Sequence, residues 1–201
     1  MRNKILLALS FLTTMAYAQG NYTITINGEK IEIELDKEYV VDSKKKNLTF
    51  SVSENDTLLH KEEMFSFKYP KEFKISKTDL GGGIEQLLLM TAEGSGMIFQ
   101  TYNSINPSML NEMMINEVTK ESINYGYTLE RQDYSRKLQS GQELDIDKAV
   151  LTYKDETNIY EIASFGEKDQ GFIVMVMRME EDLSSESEDL ISLMWESLNI
   201  F

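Results

Sequence analysis

In the stretch QELDIDK, Glu143, Asp145 and Asp147 alternate with Leu144 and Ile146. A period of two places the three carboxylates on one face of a strand, and hard oxygen ligands at that spacing suit Ca²⁺. The stretch lacks the Asp-x-Asp-x-Asp-Gly loop and the distant bidentate glutamate, so the wet face of a strand is the competing reading. Met175, Met177 and Met179 alternate likewise, a row of thioethers that could hold Cu(I) in an exported protein. Phe172, Val174 and Val176 occupy the opposite face, which makes a core strand the simpler account. Gly81, Gly82 and Gly83 precede the apolar run IEQLLLM. A phosphate loop would need Gly-Lys-Ser/Thr opening a helix. Here Ile84 and Glu85 follow and lead into a strand, so the glycines read as a bend or bulge before it.

Nucleophilic catalysis needs a base beside the nucleophile. The chain has one histidine, His60 in LLHKEE, and no cysteine. With 34 acidic residues, no pair stands out as the two carboxylates of a glycosidase, and a single tryptophan is thin provision for a sugar cleft. The expectation is a protein that is not an enzyme and carries no cofactor, with Glu143, Asp145 and Asp147 as candidate metal ligands.

The elements that would position these residues are mostly strands. In YTITINGEKIEIEL, Asn27-Gly28 marks a type I′ hairpin, and pairing across it sets Tyr22 opposite Ile33 and Ile24 opposite Ile31. A further strand, Leu48 to Val52, alternates in the same way, and the polar stretch Ser53 to Glu63 reads as a linker. FSFKYP turns Phe65, Phe67 and Tyr69 inward before Pro70 stops it. Strands are expected at 84–91 and 97–103, near 127–138, 147–154 and 158–165, and at 172–179. The last is apolar on both faces and belongs mid-sheet. Asn106, Pro107 and Gly126 bound one helix, with Leu110, Met113, Met114, Val118 and Tyr125 as its buried stripe. Ser185 and Glu188 form a capping box for a second helix, which buries Leu190, Leu193, Met194, Trp195 and Leu198. The acidic residues from Glu180 to Asp189 complement that helix's dipole and need no ligand.

Arg2 and Lys4 precede an apolar run from Ile5 to Met15, and Ala16-Tyr17-Ala18 then matches a signal peptidase site. Residues 1–18 therefore read as a signal peptide. The run is shorter than the roughly 20 residues that span a bilayer, and no cysteine offers a lipid anchor. The expected fate is export to the periplasm or the medium, without an anchor or an integral membrane segment. Loss of Arg2 and Lys4 takes the net charge from -14 to -16, which repels phosphate backbones and speaks against nucleic acid. Lys44 to Lys46, the only basic run, reads as a solvated loop.

FSFKYPKEFKI (Phe65 to Ile75) and the closing segment GFIVMVMRMEEDLSSESEDLISLMWESLNIF together resemble the PsbP-like superfamily. That superfamily includes the photosystem II extrinsic protein, DcrB-type bacterial envelope proteins and a Ran-binding import factor. The resemblance covers residues 64–201, and residues 19–60 form an N-terminal β extension and linker ahead of it. It implies an α+β fold, an antiparallel β-sheet sandwiched by helices on both faces (α/β/α), here with an N-terminal β-hairpin extension. It also implies proteins that mostly bind or stabilise other proteins. The expected function is an exported accessory module for an unidentified protein partner. A small-ligand or divalent-metal (Ca²⁺) binder is the alternative.

Overall fold

The computed structural model describes residues 21–34, 37–39, 49–179 and 184–201. The residues read as a signal peptide, the lysine triplet and residues 180–183 of the acidic run lie outside the described residues. The chain divides into two compact units, one ending at Glu54 and the other running from Asn55 to Phe201.

The first unit is a three-stranded antiparallel sheet of β1 (Tyr22–Ile26), β2 (Glu29–Ile33) and β3 (Phe50–Glu54), in the order β2-β1-β3. Asn27 and Gly28 both take positive φ, 50° and 91°, and the hairpin closes in the expected register, Tyr22 opposite Ile33 and Ile24 opposite Ile31. β3 adds Val52 opposite Ile24 and Phe50 opposite Ile26, so Tyr22, Ile24, Ile26, Ile31, Ile33, Phe50 and Val52 share one face.

The second unit has two sheets. Its strands are β4 (Thr57–Lys61), β5 (Phe65–Pro70), β6 (Ser76–Gly81), β7 (Ile84–Met90), β8 (Gly96–Tyr102), β9 (Thr128–Arg131), β10 (Tyr134–Lys137), β11 (Glu143–Tyr153), β12 (Glu156–Glu167), β13 (Gln170–Met179) and β14 (Asn199–Ile200). A 3-10 turn (Pro107–Met109) leads into α1 (Asn111–Tyr125), and α2 (Ser185–Ser197) precedes β14. The large antiparallel sheet runs β10-β11-β12-β13-β8-β7-β6, with β9 also paired to β11. The small one runs β14-β5-β4. β4 thus lies within the stretch read as a linker, and β6, exposed throughout, occupies a stretch in which no strand was expected.

β13 lies at the centre of the large sheet and is buried on both faces, as its composition demands. Phe172, Val174 and Val176 join one core with Phe65, Phe67, Phe99, Met194 and Trp195, while Ile173 and Met175 join another with Ile115, Leu151 and Ile162. Phe65 and Phe67 each stack on Phe99, with ring centroids 4.7 and 4.6 Å apart.

The expected sandwich of helices on both faces is overturned. Strands make up 54% of the described residues and helices 19%, and the fold is mostly β with two helices. A helix is about 10 Å across and strands are spaced about 4.8 Å apart, so one helix covers only about two strands of a wide sheet. On one face the small sheet does much of the covering, because β5 pairs with β4 and β14 and not with the large sheet, and α2 packs beside it. On the other face α1 packs over β11 and β12.

Candidate functional site

α1 is led in by the 3-10 turn, in which Asn106 accepts a hydrogen bond from the Ser108 backbone N–H at 2.9 Å and Pro107 supplies the first position; Leu110 then precedes Asn111, and Gly126 closes the helix at φ 117°. Helical spacing then puts Met114, Glu117, Val118 and Glu121 on one flank. The period of two turns Ile98 and Gln100 of β8 and Met175 and Met177 of β13 toward that flank, with Tyr160 of β12 paired opposite Met177. Helix and sheet enclose an open groove of about 580 Å³ lined by these side chains, by Lys120 and by Asn124.

The groove is apolar on its floor and charged on its rim. Gln100 is held in place from two sides: its amide donates to Gln86 Oε1 at 3.0 Å, and its oxygen accepts from the Tyr102 hydroxyl at 2.8 Å. Burial pushes the Tyr102 and Tyr160 phenols above their ordinary pKa, so both are neutral donors in the folded protein. Glu117 and Glu121 are exposed on the helix, and among the described residues neither belongs to an ion pair. The lining offers apolar contact and two carboxylates, with no nucleophile hydrogen-bonded to a base.

The other residues singled out by sequence fall elsewhere. Glu143, Asp145 and Asp147 do share one face of β11, but Asp147 accepts from Arg131 at 2.6 Å and Asp145 from the Ser135 hydroxyl at 2.7 Å. Arg131 also bridges to Glu112 and Asp133. Among the described residues no group of three or more His, Cys, Asp or Glu side chains is arranged to hold a metal ion. His60 lies on β4, its Nε2 2.9 Å from Glu62 Oε1 and its ring against Phe67. Gly81 to Gly83, all at positive φ, make the tight turn of the β6–β7 hairpin, with a register shift between Asp79 and Gly81. Met175 and Met177 reach the groove, and Met114, which sequence assigned only to a buried stripe, joins them there. Tyr125, expected in that stripe, is 71% exposed and packs against Tyr127 and Tyr153. Ile115 and Thr119 are the buried positions of α1.

No protein-family model matches the sequence, and no curated protein matches it. Among solved structures, a crystal structure from Bacteroides thetaiotaomicron aligns with 13% identity and a TM-score of 0.33, over 68% of this chain and 45% of that one. The chain therefore spans less than half the length of that neighbour, and the overlap is too slight to assign a fold or a role. No helix among the described residues is long and apolar enough to cross a membrane.

Proposed function

We propose that the mature chain is an exported, non-enzymatic accessory module that binds a protein partner in the cell envelope or outside the cell. The observation that carries this reading is the apolar face of the three-stranded unit. Phe50 is 65% exposed, Val52 53% and Ile31 36%, on a sheet whose opposite face is already polar. A contiguous apolar patch of this kind marks an interaction surface. The two segments that resemble PsbP-like proteins, which mostly bind other proteins, support the same role, as does the signal-like N-terminus.

The test is crosslinking capture with residues 19–201 in the envelope and medium fractions of the native cell, read by mass spectrometry. A Phe50→Thr/Val52→Thr variant keeps strand-forming side chains while removing the aromatic and aliphatic contact. One stoichiometric partner, lost on competition with untagged protein and weakened on the order of tenfold in the variant, is the expected result. Capture that ignores the variant would move the contact away from this face. Recovery of nothing specific would end the protein-partner reading.

A further inference from the structure

The groove beside α1 is built wholly from residues of the second unit and has a chemical character of its own. Its volume of about 580 Å³ falls in the range of small-molecule sites, roughly 300 to 1,000 Å³. Three methionines, Met114, Met175 and Met177, reach it from two elements. Unbranched thioether side chains repack around irregular apolar shapes, which suits a ligand body without a fixed outline. At the rim, Glu117 and Glu121 stand four residues apart on one helix flank, a like-charge spacing that weakens a helix. They are not joined to any cation in an ion pair among the described residues, and Lys120 is the only basic residue in the lining.

We propose that this groove binds a small cationic amphiphile, an amine or quaternary ammonium carrying an apolar chain or ring. The apolar body lies on Ile98, Met175, Met177 and Val118, and the positive end meets Glu117 and Glu121. The field of a chain with net charge -14 draws cations toward the same rim and turns anionic amphiphiles away. The proposal does not depend on the protein partner, since it concerns a different unit and a different ligand class.

The experiment titrates residues 19–201 with decylamine, decanol and decanoate below their aggregation limits, observing methyl-labelled methionines by NMR. Decylamine is expected to shift the Met114, Met175 and Met177 signals saturably, leaving Met64 and Met194 on the opposite face unmoved. It should bind on the order of tenfold tighter than decanol, the effect of one partly screened opposite charge at contact. The Glu117→Gln/Glu121→Gln variant, altered only at exposed positions, should bind decylamine no better than decanol. Added salt should weaken only the amine. Unmoved signals for the three groove methionines would overturn the proposal. So would decanoate binding as tightly as decylamine, or a preference for the amine that survives in the double variant.

Discussion

Glu161 is 4% exposed, the one charged side chain among the described residues that is fully buried. Its carboxylate accepts from Arg178 at 2.7 Å and from the Tyr134 hydroxyl at 3.1 Å, in the face beneath α2. An unpaired buried charge costs far more than the pair contributes. Arg178→Met should therefore destabilise the protein by about 3 to 5 kcal/mol in urea titrations, while Glu161→Leu/Arg178→Met together should restore most of that loss. This pair was not legible in the sequence, because NIYEIASF and FIVMVMRM meet only through the register of β12 on β13. Tyrosines give a second residue-level test. Burial holds Tyr102, Tyr134 and Tyr160 above the ordinary 10.0, with the Glu161 carboxylate adding to the effect at Tyr134. Their contribution to stability is complete below pH 10 and is lost as pH rises through the higher folded-state values, since the unfolded chain gives up its protons first. Urea midpoints should fall as pH rises past about 10, and fall less steeply in Tyr160→Phe, which has no phenolic proton to lose.

At the level of elements, the seat of α1 is a pair of glycines facing each other across β12 and β13. A Cβ on Gly166 would lie 2.0 Å from Asn106 Oδ1, and one on Gly171 would lie 2.4 Å from Pro107 Cδ and 2.3 Å from the Phe165 carbonyl. The turn that starts the helix thus rests directly on bare backbone. Gly171→Ala should cost about 1 to 3 kcal/mol by overpacking, measured as a lowered thermal midpoint, and should loosen amide protection through Pro107–Met109 and the first turn of α1. Gly126 marked the end of α1 correctly, but Asn106 and Pro107 cap the 3-10 turn and α1 itself starts at Asn111; of its expected stripe Leu110, Met114 and Val118 do pack against the core, while Met113 and Tyr125 do not. Methionine and tyrosine tolerate exposure, as Met113 at 57% and Tyr125 at 71% show, whereas Thr119 hides its hydroxyl on the Ile115 carbonyl. The Asn27-Gly28 hairpin was fully legible because a two-residue turn dictates its own register. β4 and β6 were not, since THR-LEU-LEU-HIS-LYS and SER-LYS-THR-ASP-LEU-GLY carry too little alternation to signal a strand, and their pairing with β5 and β7 decides the matter. The groove was legible only in part. Met175 and Met177 were noted as a row, but their meeting with Met114 depends on where α1 lands.

For the molecule as a whole, the boundary at Glu54 separates two sets of contacts that can be tested by truncation. Removing residues 21–54 should leave the second unit with its thermal midpoint within a few degrees of the parent chain. Extending the deletion through Lys61 removes β4, leaves β5 an open edge of the small sheet, and should lower the midpoint markedly. The α+β expectation counted the helices correctly but assigned them whole layers. Whether β5 joins the large sheet or builds a second one cannot be seen in FSFKYP, because its inward aromatics look the same in either place. The small sheet also has a bearing on synthesis. Ile200 pairs with Phe65, and the Phe201 N–H donates to the Met64 carbonyl at 3.0 Å, so the middle strand of the small sheet is held on one side by β14 and on the other by β4. A chain elongating at roughly 5 to 20 residues per second makes β4 and the Phe65 and Phe67 strand long before the second partner, β14, exists. The rings of the Phe65 and Phe67 strand must wait, against a half-built sheet, for almost the entire remainder to be made, and a chain stopped short of Asn199 is left with one side of that strand unpaired for good.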